Sequence, residues 1–326
     1  MKIRYFINIL YVMALILSSC SSKECPNSIE IIRFDIAING YEDMSDDQRL
    51  QFRDSFSDAI ELLSKVERKN LVEDSLLSVY AGSRSVKMFS QAIEQNLGSL
   101  DSVQLRIGQV KQNMNNELSM ASIGEIYSIV TSNVGTQIFM NDTIMLVALN
   151  HYLGSEFPGY SNFDTYLRRF KTLHYLPYDI AESRIAYSYP FQQTYDSKVI
   201  NRLMYEGALS MALMKIVPDA SLEDVIGCSV EELQWMQENE KNIWNALITK
   251  ELLYSTSIMD VSRMVNKSPS VSMIHPDCPG RVGRYIGYRI VESFISNNEN
   301  VNLQYLLSPQ FYNSRQTLIN SRYFPK

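Results

Sequence analysis

Two periodicities alternate along this chain, and their order sets out its architecture. From Ser45-Asp46-Asp47, a favourable helix start, apolar residues recur at helical spacing in Phe52, Phe56, Ile60, Leu63 and Val66. The spacing continues through 69–117 in Leu71, Leu76, Val79, Tyr80, Phe89, Ile93, Leu97, Val103 and Ile107, which predicts two or three more helices. On either side of this helical segment, 45–117, the period shortens. Residues 29–38 are rich in β-branched side chains and alternate in part, predicting an opening strand. Residues 125–130 and 136–140 alternate, Asn141-Asp142 marks a tight turn, and 143–149 is a continuous apolar run. The stretch 124–149 therefore predicts a small β-meander. Beyond Tyr160 the helical period returns, punctuated by Pro177, Pro190 and Pro218. Residues 200–216 predict one helix. Residues 231–253, preceded by Ser229 and carrying Trp235, Ile243, Leu247 and Leu252, predict the longest one. The stretch 269–279, with a Pro at each end, is a loop, and 281–296 a further helix. No internal repeat appears. The reading is one helix-rich α+β domain over 29–326, with a small mixed sheet and several packed helices.

The N-terminus follows another pattern. Lys2 and Arg4 precede an apolar run, 5–17, broken by Asn8 and ending in Leu17-Ser18-Ser19-Cys20. A positive segment, an apolar core of roughly 7–15 residues and a small-residue cleavage site make a secretory signal over 1–19. The core is short for a membrane span, which needs about 20 apolar residues. The Leu-Ser-Ser-Cys ending resembles the lipobox of bacterial lipoproteins, in which the thiol is acylated with chains such as palmitate and the cysteine becomes the first residue. Cys20 is thus the expected lipidation site, and 20–28 a polar tether. Each buried methylene adds about 0.8 kcal/mol, so a multiply acylated terminus stays on its membrane. The expected address is the cell envelope, with the outer membrane favoured and either face open.

Composition narrows the classes. The chain of 326 residues is 45% hydrophobic and 11% aromatic, enough for a sizeable core. Its formal charge is −6, from 30 cationic against 36 acidic residues. Loss of Lys2 and Arg4 with the signal leaves 28 against the same 36, or −8. An acidic protein without a basic stripe excludes nucleic acid as partner. The membrane is reached through the N-terminal lipid, and the remaining partners expected are other envelope proteins. With Cys20 acylated and Cys25 on the tether, Cys228 and Cys278 form a possible disulfide. His151, His174 and His275 lie far apart, and the His275–Cys278 spacing alone is too little for zinc. Asp196-Ser197 has no paired His and no Gly-x-Ser-x-Gly elbow, and phosphate loops are absent. No metal, cofactor or catalytic residue is expected. Glu240 and Glu251 are expected on a solvent face, and His151 at a sheet edge. Gly280, Gly283 and Gly287 span two helical turns interrupted by Arg281, Arg284 and Arg289, which points to close helix packing.

Three further blocks carry a family resemblance. They are His151-Tyr152-Leu153-Gly154 with Phe157-Pro158 and Tyr166-Leu167-Arg168-Arg169; Gln234 to Glu240 with Ile243-Trp244 and Glu251 to Thr256; and Pro279 to Gly287. In order and spacing they resemble the gliding-motility lipoprotein GldB family, from about Arg33 to the end. The resemblance implies an envelope lipoprotein associated, in gliding bacteria, with motility and secretion machinery. It also implies a zincin-like domain, distantly similar to metallopeptidases whose helix carries His-Glu-x-x-His. The helix in that place reads Tyr205-Glu206-Gly207-Ala208-Leu209. Zinc hydrolysis needs imidazoles at i and i+4 on one face, with the Glu activating a metal-bound water. Tyr205 and Leu209 stand in the two ligand places, so the resemblance implies a zincin that has lost its metal. Tyr205, Glu206 and Leu209 are then candidates for a vestigial cleft. The expected function is non-catalytic protein contact within envelope machinery. A metal-dependent hydrolase with other ligands and a peptide- or carbohydrate-binding lipoprotein are the alternatives.

Overall fold

The computed structural model describes residues 28–119 and 122–325, so the signal, Cys20 and Cys25 lie outside the described residues. The opening strand is far shorter than its sequence predicts. Strand β1 is Ile31–Ile32 alone, and the chain then turns into helix α1, Phe34–Ala37. Ile31, Phe34, Asp35 and Ile38 are buried while Ile36 and Ala37 are only partly so, and this i, i+3, i+4, i+7 spacing is that of a helix and not of a strand. Asp35 fixes the turn. Its carboxylate accepts Arg33 Nε and Nη2, each at 2.8 Å, and the Ser128 hydroxyl. A partial alternation yields here to a buried carboxylate that needs three donors.

Helix α2 (Asp46–Ser55) opens on a capping box: Ser45 accepts from the Gln48 amide while the Gln48 side chain accepts from the Ser45 amide. The chain breaks at Phe56, whose ring packs on Phe34 and Phe52, and resumes as α3 (Ser57–Glu67). Three helices follow as the periodicity predicts: α4 (Asp74–Gly82), α5 (Arg84–Leu97) and α6 (Asp101–Glu117).

The sheet is mixed and is not a meander. Strands β2 (Glu125–Ile129), β3 (Ile138–Met140) and β4 (Ile144–Ala148) join β1 in the order β1-β2-β4-β3. Strands β1, β2 and β4 run parallel, with Ile31 opposite Ile126 and Ser128 opposite Val147; β3 is antiparallel to β4. Every residue of β4 is buried, whereas Phe139 and Met140 of β3 are only partly covered. A strand apolar on both faces belongs inside a sheet. That asymmetry sends β4 past its hairpin partner to lie beside β2.

The rest is helical: α7 (Thr165–Arg168), α8 (Leu176–Ser188), α9 (Val199–Ile216), α10 (Leu222–Ile226), α11 (Val230–Glu238), α12 (Glu240–Thr249), α13 (Ile258–Val265) and α14 (Val282–Asn297). Three short helices close the chain: α15 (Leu303–Leu306), α16 (Pro309–Tyr312) and α17 (Arg315–Ser321). The single helix predicted over 231–253 is two, α11 and α12, broken at Asn239. The break turns Glu240 inward, where its carboxylate accepts the Tyr285 hydroxyl at 2.6 Å, the Tyr323 hydroxyl at 2.9 Å and Arg289 Nε at 3.0 Å. Glu240 is therefore buried and not on a solvent face.

Helix α9, about 27 Å long at 1.5 Å per residue, is the axis of this half. It is buried on nearly all sides, which is why no single apolar stripe shows in its sequence. Its main neighbour is α14. A Cβ on Gly287 would overlap the Leu203 carbonyl, and one on Gly207 would overlap the Gly287 backbone. The glycine spacing thus serves a helix pair in backbone contact, and Gly283 faces Leu203 and Met264 in the same seam. Replacing Gly287 with Ala should cost about 3 kcal/mol or more, because backbone cannot move aside as a side chain can. Urea unfolding of G287A checks this, with G135A, which meets only one atom at 3.8 Å, expected to match the parent.

Candidate functional site

The site begins on α9. Tyr205, Glu206 and Leu209 are 3%, 6% and 3% exposed, so the face proposed as a vestigial cleft is packed over. Tyr205 donates to the Tyr189 carbonyl at 2.9 Å, and its ring lies 5.4 Å from Phe191 and 5.5 Å from Tyr312. Burial raises its phenol well above the ordinary value. Glu206 accepts Arg202 Nε at 2.8 Å and Nη2 at 2.7 Å, one turn back along the helix. Leu209 belongs to the hydrophobic core. Among the described residues, no group of three or more His, Cys, Asp or Glu is placed to hold a metal ion.

Beyond Glu206 lies a charge lattice that the sequence reading missed. The Ser210 hydroxyl donates to the Glu206 carbonyl at 2.8 Å and accepts Arg284 Nε at 2.8 Å. Arg284, 1% exposed, then grips Glu182 of α8 with both remaining nitrogens, Nη1 at 2.8 Å and Nη2 at 3.2 Å. The planar fork matches the carboxylate, as bidentate pairs require. Burial by itself would raise the Glu182 carboxyl, but Arg284 and Arg281 outweigh it and hold it at about 2. One turn earlier on α8, Asp179 accepts the Tyr152 hydroxyl at 2.7 Å. Burial raises Asp179, against the pull of Lys267 and of that hydrogen bond.

The lattice ends at a cluster of cations. Burial lowers Lys267 to about 8, and Arg281 beside it pushes the same way. The Lys267 ammonium sits 3.8 Å from the centre of the Phe170 ring, with the Arg169 guanidinium 4.9 Å from that ring. Arg281 Nη1 donates to the Ile226 carbonyl at 3.0 Å, and Arg169 Nη1 pairs with Glu232 at 2.7 Å. Arg281 occupies the left-handed region, φ 62°, just before α14 begins. An arginine there carries a strain that glycine would avoid. The one sequence signal for this region was a set of arginines interrupting an otherwise apolar, glycine-spaced helix.

The other predicted positions lie elsewhere. His151 is not merely at a sheet edge: it is 3% exposed, its Nε2 donates to the Asn133 carbonyl at 2.9 Å, and its Nδ1 accepts the Lys171 ammonium at 2.8 Å. Burial and the Lys171 charge lower His151 to about 4, so the ring is neutral. His275 and Asp277 face each other at 3.8 Å in an exposed loop, and Asp196-Ser197 lies in another, bonded to Thr194. Glu251 is exposed, as expected. Cys228 and Cys278 are not joined: both are free, buried thiols, each pushed up to about 12 by burial.

Fold and site define a class: a helix-rich α+β domain whose central helix carries a carboxylate locked into ion pairs. No helix among the described residues is long and apolar enough to cross a membrane. The chain belongs to the family of the gliding motility protein GldB, whose model matches residues 19–325. No curated protein and no solved structure matches it.

Two outcomes follow from the buried ions. Arg284→Met should lower stability by about 3 kcal/mol, since it leaves Glu182 and Ser210 without their partner; chemical unfolding measures it. For His151, the folded value near 4 lies below the ordinary 6.5. The unfolded chain therefore binds the proton first as pH falls, and stability drops between pH 6.5 and about 4. The drop approaches 1.4 kcal/mol per pH unit. His151→Gln should flatten the pH dependence of unfolding in that window.

Proposed function

We propose that this protein is a lipid-anchored component of the cell envelope, held through Cys20, which serves gliding-related machinery by protein–protein contact and not by catalysis. Membership in the GldB family supports the motility-related role. The Leu17-Ser18-Ser19-Cys20 ending behind a short apolar core supports the anchor. The outer membrane is the address we assign.

The observation that carries the non-catalytic reading is the state of Glu206. A metal-site base has to reach a bound water, and here the carboxylate is held by Arg202 at 2.7 Å and is 6% exposed. The flanking positions, Tyr205 and Leu209, are buried in aromatic and aliphatic packing. Such a helix face suits a rigid scaffold of zincin ancestry whose surface makes the contacts.

The test has two arms. Metal analysis of the purified mature chain should find no stoichiometric zinc; one tightly bound equivalent would overturn the non-catalytic reading. Cys20→Ala should abolish fatty-acid labelling and move the protein out of the membrane fraction, and unchanged labelling would overturn the anchor.

A further inference from the structure

We propose that Arg169, Lys267 and Arg281 form a receptor for a carboxylate, supplied by an acidic side chain or chain end of a partner protein. The proposal rests on the reading of this domain as a protein-contact component and names the chemistry of one contact.

Three observations converge. The cations are gathered in one cluster: Lys267 and Arg169 share the Phe170 ring, while Arg169 Nη2 and Arg281 Nη1 reach consecutive carbonyls, Gly227 at 3.5 Å and Ile226 at 3.0 Å. Like charges held this close repel. Secondly, hydrogen-bonding capacity is left over. Lys267 is attracted by Asp179 and Glu182 but forms no ion pair within 4.0 Å among the described residues, and Arg169 Nε and Arg281 Nε have no acceptor. Thirdly, the charge count fits one negative charge. Arg169, Arg202, Lys267, Arg281 and Arg284 stand against Glu232, Asp179, Glu182 and Glu206, five cations to four carboxylates.

That surplus favours a carboxylate over a dianionic phosphate. Guanidinium forks present parallel N–H groups to a planar carboxylate, and the Lys267 ammonium supplies a third donor. Solvent reaches the cluster at Arg169, whose side chain is 31% exposed, while Lys267 and Arg281 are half-buried.

Thermal unfolding of the full chain in sodium acetate, replacing sodium chloride at constant ionic strength near pH 7.5, tests the proposal. Acetate at about ten times its dissociation constant should raise the midpoint by about 3 °C, saturably. Lys267→Met, which keeps the stem on Phe170, should weaken the acetate response at least fivefold with the circular dichroism spectrum unchanged. Arg281→Lys, which keeps the charge but loses the fork, should weaken it similarly. Equal midpoints in acetate and chloride would overturn the proposal, as would a full response in K267M. A response to inorganic phosphate alone, lost in K267M, would overturn the carboxylate assignment in favour of a phosphate-bearing ligand. Zinc content and Cys20 acylation are read separately, so a failure here leaves the broader function standing or falling on its own assays.

Discussion

The backbone contact between α9 and α14 is the constraint on which the rest of this molecule depends. Two helices approach so closely at Gly207 and Gly287 that no side chain fits between them. That proximity lets Arg284 cross from α14 to Ser210 on α9 and on to Glu182 on α8. Three helices are thereby locked by one guanidinium. Separating them by even a methyl group would lengthen hydrogen bonds that now stand at 2.8 Å, in surroundings where a lost partner is expensive. The same seam fixes the start of α14, and with it Arg281.

Ion pairs and hydrogen bonds hold the carboxylates along this seam. Glu206, Glu182 and Asp179 each have committed partners in Arg202, Arg284 and Tyr152. A buried ion pair seldom adds net stability over a well-packed apolar core. Its value here is geometric: Arg284, bonded to Ser210 and Glu182, admits one arrangement of three helices and denies the slid or rotated alternatives. The aromatic packing of Tyr205 with Phe191 and Tyr312 brings the 191–198 loop and the C-terminal helices onto the same axis.

Much of this was legible in the chain. Helices with a clear apolar period, such as α5 and α6, and the close packing announced by Gly280, Gly283 and Gly287, came from local pattern. The misses share one cause. Residues 29–38 alternate like a strand, but Asp35 needs donors from Arg33 and Ser128 that only the folded sheet supplies. The long helix over 231–253 breaks because Glu240 is drawn to Tyr285 and Tyr323, both far along the chain. The β2–β4 pairing depended on which strand was buried on both faces. Of the site, Glu206 was found by motif. Glu182, Asp179 and Lys267 were not, since each is an ordinary charged residue until the fold assembles its neighbours. Non-local partners leave no periodic trace in a single sequence.

The two buried thiols bear on how the molecule tolerates its surroundings. Cys228 and Cys278 are both free and buried, with thiols raised to about 12. The thiolate is the reactive species, so at neutral pH both are kinetically silent toward oxidants and toward each other. That silence exists only after folding. In an oxidising compartment the unfolded chain would expose both sulfurs at their ordinary acidity, and the order of events would decide the outcome: collapse first and the thiols are shielded, oxidation first and a bridge can form that the folded chain lacks. Burial of the two sulfurs thus doubles as protection from oxidants.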